Sequence, residues 1–250
     1  MTVETEPSIE ASVGCTATGC DSSDSTKSRI RGAVISQFAR PRGAVGRLAG
    51  AIMARRASNV ERNRWTVSRL DLRPTDRVLE IGFGPGIAIA AASREVGEGQ
   101  VVGLDHSETM WRQASRRNLR AIQEGRVRLE IGTVDDLGVG GLSAGNRSGD
   151  GPARGVVFDK IFAVNCAQFW MNPVTTLKVL AAHLVPGGTI ALTEQPRSRG
   201  ADEAAVRRAA GRLESQLGET GFIELRCEAL PLKPVEAVCV LGRKPGLMSG

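Results

Sequence analysis

The chain has 250 residues, 41% hydrophobic and 24% charged, a balance that suits a globular fold with a full core and room for one domain plus appendages. No window reaches the roughly 18–20 apolar residues that a membrane-spanning helix needs, and Met1–Glu10 carries three glutamates where a secretory leader would be apolar, so a cytoplasmic location is expected. The net charge of +6 divides into −5 over residues 1–26, +10 over 27–73 and +1 over 74–250, so the basic character belongs to one segment and bears on partners, not on fold.

Residues 1–28 are rich in Ser, Thr, Glu and Asp and read as a disordered tail, because so few apolar side chains cannot offset the entropy of ordering. Residues 29–73 read as a basic helical extension. Ile35, Phe38 and Ala39 could share one face, Pro41 and Gly43 interrupt, and Val45, Leu48, Ala49, Ile52 and Met53 recur at helical spacing. A further helix is expected from Asn59 to Leu70, stopped by Pro74.

From residue 74 to 243 the text alternates. Strands are expected at Arg77–Ile81, Gln100–Leu104, Val127–Ile131, Phe158–Asn165, Thr189–Thr193, Phe222–Ala229 and Val235–Leu241. Helices are expected at Gly86–Val96, Ser107–Gln123 with Ser107 as N-cap, Thr175–Leu184 and Asp202–Thr220. This order predicts an α/β fold, a doubly wound, mainly parallel, seven-stranded Rossmann-like sheet behind an N-terminal helical extension. Gly138–Gly155, with seven glycines, breaks the rhythm and reads as a flexible insertion. The five cysteines, at 15, 20, 166, 227 and 239, are odd in number and scattered, as in a reducing compartment. Cys15 and Cys20 have no histidine near them, so no metal is expected.

The first strand runs into Glu80-Ile81-Gly82-Phe83-Gly84-Pro85-Gly86, a glycine turn that can lay backbone against a ligand beyond the carboxyl end of the sheet. A dinucleotide fingerprint would place its third glycine at position 87, where Ile87 stands. The G-x-G-x-G spacing therefore suits an amino acid and sugar better than a pyrophosphate. Asp105 ends the second strand, 23 residues after Gly82, where a carboxylate can accept from both hydroxyls of a ribose.

Five segments stand in order along the chain: VLEIGFGPG (78–86), GLDHSETM (103–110), GTVDDL (132–137), FDKIFAVNCAQFW (158–170) and LVPGGTIAL (184–192). In order and spacing they resemble the motif series of class I S-adenosylmethionine-dependent methyltransferases, closest to the broad group that includes quinone- and small-molecule-modifying members. The resemblance implies S-adenosyl-L-methionine as cofactor. Glu80 with the backbone of Gly82, Gly84 and Gly86 would hold its methionine portion, Asp105 the ribose hydroxyls, and His106 would lie against sugar or adenine. The backbone of Val134 with Thr133 or Asp135 would meet the adenine edge, and Asn165 would sit near the sulfonium and the acceptor.

Methyl transfer from a sulfonium is an in-line displacement, in which alignment supplies much of the rate and a base matters only for some acceptors. No catalytic base stands out. The chain has two histidines and no tyrosine. His106 belongs to the ribose side, His183 reads as surface or packing, and Glu194 reads as an N-cap or solvated residue. Gln168, Phe169 and Trp170 are candidates for the acceptor pocket. The basic extension reads first as a helical cap over that pocket, with solvated arginines. Contact of Ala44–Arg56 with anionic membrane is a second possibility, and RNA contact the weakest. The expected partner is a small-molecule acceptor. An RNA- or protein-directed methyltransferase, or a Rossmann-type oxidoreductase or nucleotide-binding module, is the alternative.

Overall fold

Each strand of the expected sheet forms, and the order in which they pair fixes where a ligand can bind. A computed structural model describes residues 57–140, 156–198 and 200–246. The tail 1–28, the extension as far as residue 56 (including the membrane-contact candidate Ala44–Arg56) and positions 141–155 of the glycine-rich insertion lie outside the described residues.

In chain order the elements are α1 (Ala57–Arg69), β1 (Arg77–Ile81), α2 (Ile87–Glu95), β2 (Gln100–Asp105), α3 (Glu108–Arg117), α4 (Leu119–Gln123), β3 (Val127–Ile131) and α5 (Val134–Gly140). There follow β4 (Phe158–Val164), a 3₁₀ turn (Ala167–Phe169), α6 (Pro173–Ala182), β5 (Leu184–Glu194), α7 (Glu203–Glu219), β6 (Ile223–Leu230) and β7 (Ala237–Arg243). The sheet order is β3-β2-β1-β4-β5-β7-β6, parallel except for β7, which runs antiparallel to both its neighbours. Strand order reverses between β1 and β4, and ligands of such sheets bind beyond the carboxyl ends at that point.

The pleat sorts β1 into two faces. Leu79 and Ile81 pack with Phe158, Leu177, Leu180 and Leu213 on one side, while Val78 packs with Ile89, Ala92, Met110 and Ala114 on the other. Glu80 shares the parity of Val78 and is carried by it into the buried layer under α2. Helix α1 joins that same layer through Val67 and Leu70. Its Thr66 hydroxyl donates to Thr193 Oγ1 of β5 at 2.8 Å, fastening the helix across the sheet.

Three local outcomes differ from the expected elements. The helix expected over Ser107–Gln123 divides at Asn118, whose amide donates to Ala114 O at 2.9 Å and across to Gly86 O at 3.2 Å. The fifth strand is longer than Thr189–Thr193. It begins at Leu184 and passes through Pro186-Gly187-Gly188, where a register shift against β4 absorbs the proline. Helix α5 starts inside GTVDDL: Asp136 Oδ2 accepts from Thr133 N at 2.6 Å, and Thr133 O accepts from Asp136 N at 3.2 Å, a reciprocal cap.

Candidate functional site

The turn after β1 is a run of left-handed backbone, with φ +72° at Gly82, +51° at Gly84 and +74° at Gly86. Only glycine adopts that region without strain, and two of the positions are also crowded. A Cβ on Gly82 would lie 2.5 Å from Cys166 Sγ, and one on Gly86 would lie 2.7 Å from Ala114 Cβ. At Gly84 a Cβ would meet nothing within 4 Å. That peptide is held tight against β1 and β2 for another reason, and the space above it is open.

The reason is Asp105. Gly84 N donates to its Oδ2 at 2.8 Å, and Ser107 N donates to its Oδ1 at 2.8 Å. One carboxylate thus ties the glycine turn to the cap of α3, where Ser107 Oγ accepts from Met110 N. Each oxygen keeps a second lone-pair direction for a ligand hydroxyl. Burial raises the Asp105 pKa, and these two backbone donors together with His106 oppose the rise. Glu80, next to the turn and fully buried, is pushed up to about 8 by burial and by Asp105, against a backbone N–H from Ile89. Among the described residues its Oε2 has no hydrogen-bond partner. A buried carboxyl with one empty oxygen suits a cationic group better than another anion.

A cavity of about 950 Å3 opens over the tips of β1, β2 and β4. Six of the residues expected to hold a cofactor line it, namely Gly82, Asp105, His106, Thr133, Val134 and Asp135. Glu80, near the end of β1, Gly84 and Gly86, in the turn after it, and Asn165, just past β4, are not among its lining residues. Asn165 is left-handed (φ +52°), and its Oδ1 accepts from Gln195 N at 2.8 Å, so this side chain ties the tip of β4 to the tip of β5. Thr133 spends its hydroxyl on Asp136 Oδ2 at 3.1 Å. Val134 is buried, and Asp135 is exposed at the rim.

On the acceptor side, Phe169 and Trp170 line the main cavity with Cys166, Met171 and Asn172, while Gln168 turns into a second, smaller cavity. Sequence reasoning passed over Cys166, because nothing local announces its approach to Gly82. Burial and the nearby Asp105 push its thiol up to about 12, so it is a neutral wall of the cavity and not a thiolate nucleophile. Glu194 is neither an N-cap nor solvated: it is buried and paired with Arg212. His183 caps α6, its Nδ1 lying 2.9 Å from Val179 O. Among the described residues no cluster of His, Cys, Asp and Glu could hold a metal, and no helix is long and apolar enough to cross a membrane.

Residues 78–188 match a family described as methyltransferase domain. The chain is 28% identical over 198 residues to the uncharacterized methyltransferase YdaC of Bacillus subtilis, covering 79% of this chain and 98% of that one. Among solved structures it is similar to cofactor-bound Rv0187 from MTB, with a TM-score of 0.58, 21% identity and coverage of 80% and 88% of the two chains. A second likeness is to Haemonchus contortus phosphoethanolamine N-methyltransferase 2 in complex with S-adenosyl-L-methionine. There the TM-score is 0.56 at 17% identity, with 74% and 52% of the chains covered. Together these likenesses support an S-adenosylmethionine-dependent methyltransferase of class I, with S-adenosyl-L-methionine as its cofactor.

Proposed function

We propose that the chain methylates a small-molecule acceptor, and that the cavity over β1, β2 and β4 holds the methyl donor. When bound, the cofactor supplies an electrophilic methyl on a sulfonium, and the protein aligns the acceptor with it and keeps water away. The two-sided hold on Asp105 is the observation that carries this reading. It leaves a fixed carboxylate at the rim with capacity for two hydroxyls, the donor pattern of a ribose.

The remaining roles follow from what each group still has free. Glu80, with one empty buried oxygen, suits the ammonium of the methionine portion, and the open space at Gly84 suits the chain that carries it. Asp135 is assigned to the exocyclic amine of adenine and Val134 to the adenine edge, since the hydroxyl of Thr133 serves the cap of α5. His106, at the rim, lies against sugar or ring. Asn165 is assigned to bracing β4 against β5 beside the acceptor. We draw the acceptor pocket with Phe169 and Trp170 on its wall. A cytoplasmic setting fits the free thiols of Cys166, Cys227 and Cys239.

Calorimetric titration with S-adenosylhomocysteine tests the site. Asp105→Ala should weaken binding at least about tenfold, since a charge-assisted hydrogen-bond pair contributes on the order of 1.5–3 kcal/mol. Circular dichroism should stay unchanged. Affinity equal to that of the parent chain removes the carboxylate from the site. Turnover of a panel of hydroxyl, amine and thiol acceptors to S-adenosylhomocysteine then tests the acceptor class.

A further inference from the structure

The second cavity, about 330 Å3, lies between the turn after β4, the tip of β5 and one face of α7. Arg208 and Arg212 come from that face, at helical spacing, and Arg197 from the loop after β5. Glu194 also lines the cavity, but its carboxylate is ion-paired with Arg212. Among the described residues, Arg208 and Arg212 against Glu194 alone leave positive charge in excess around a small opening whose lining is more apolar than polar.

The wall behind it repeats the pattern. Arg62 of α1 is 2% exposed, and its guanidinium donates to neutral oxygens, Gln195 Oε1 at 2.6 Å and Asn59 Oδ1. Its buried Nε has no hydrogen-bond partner among the described residues. Gln195 cannot turn to offer anything else, because its Nε2 is spent on the carbonyls of Val235 at 2.7 Å and Lys233 at 3.3 Å. Its Oε1 therefore also receives Arg197, at 2.9 Å from a terminal nitrogen. At Arg62 an amide stands where a carboxylate of the same length would neutralise the cation. Burial and Arg197 pull the Arg62 pKa down to about 9, as expected for cations gathered around a neutral acceptor.

We propose that this second cavity binds the anionic group, a carboxylate or phosphate, of a small methyl acceptor. The inference deepens the acceptor reading above and rests on it. Guanidinium forks match the planar or tetrahedral oxygens of such groups. The volume admits one headgroup and not a polymer. Gln168 lines this cavity while the next residues, Phe169 and Trp170, line the main one, so an acceptor anchored here can extend its reactive end toward the cofactor.

The test titrates inorganic phosphate and acetate into the full chain saturated with S-adenosylhomocysteine, followed by calorimetry or amide chemical shifts. Millimolar binding is expected, weakened at least about fivefold in Arg208→Gln. Arg120→Gln, on the exposed face of α4 and paired with Glu124, should match the parent chain. Absence of saturable binding, or an equal loss in both variants, overturns the proposal. A uridine oligoribonucleotide that binds through Arg208 more tightly than phosphate overturns it in favour of RNA. Titration of S-adenosylhomocysteine into each sample separates the two readings. Lost cofactor binding with intact phosphate binding removes the methyltransferase site alone, and the reverse removes the anion site alone.

Discussion

At the residue scale, three glycines of one turn need glycine for different reasons, and substitutions should separate them. Gly84→Ala meets open space and carries only the left-handed strain, about 1–2 kcal/mol. Gly86→Ala adds an overlap with Ala114 Cβ and Cα in a packed layer, so urea denaturation should show a loss of about 3 kcal/mol or more. Gly84→Ala should nevertheless be the one that damages cofactor affinity, because it fills the open space. Glu80 gives a pH signature of its own. Its folded pKa, about 8, lies above the ordinary 4.5. As pH rises past 4.5 the unfolded chain sheds this proton first, so the folded state loses relative stability up to about pH 8 and no further. Glu80→Gln should flatten that slope in denaturation curves taken from pH 5 to 8. If the methionine ammonium sits against Glu80, binding should also release a proton near pH 7. Calorimetric enthalpies measured in buffers of different ionisation heat would show it.

At the element scale, α1 decides how the front of the chain is read. A segment with +10 charge reads from sequence as a helical cap over the acceptor pocket with solvated arginines. Yet α1 buries Arg62, Asn63 and Thr66 and lays Val67 and Leu70 into the layer under β1. Leu70→Ala should lower stability by about 2–5 kcal/mol, the cost of a core cavity, where removal of a loosely docked cap would cost far less. A urea midpoint resolves the two outcomes. Strands and helices were largely legible because local periodicity and turn residues mark them, and the glycine turn with Asp105 was legible because both elements sit at strand ends. The start of α5 was also written in Thr133-x-x-Asp136, a capping signature hidden by the glycine-rich text after it. Other features have no local mark. The break at Asn118 depends on Gly86, 32 residues away, the wall at Cys166 on Gly82, and the buried Arg62 on Gln195, 133 residues away.

At the scale of the whole molecule, the sheet is unevenly protected. β1, β4 and β5 are flanked on both edges and packed on both faces, whereas β6 is an edge strand whose residues are mostly exposed. Its Arg226 and Glu228 charge that edge against pairing with another chain. Amide hydrogen exchange should therefore be slowest in β1 and β4 and fastest among the strands in β6. Uniform protection across all seven strands would contradict this. The clamp on Asp105 has a consequence for kinetics. Its carboxylate, the Gly84 peptide and the first turn of α3 already hold one another in register before any ligand arrives. Association should thus involve no ordering of this corner, and the on-rate for S-adenosylhomocysteine should change little with solvent viscosity beyond the diffusional effect.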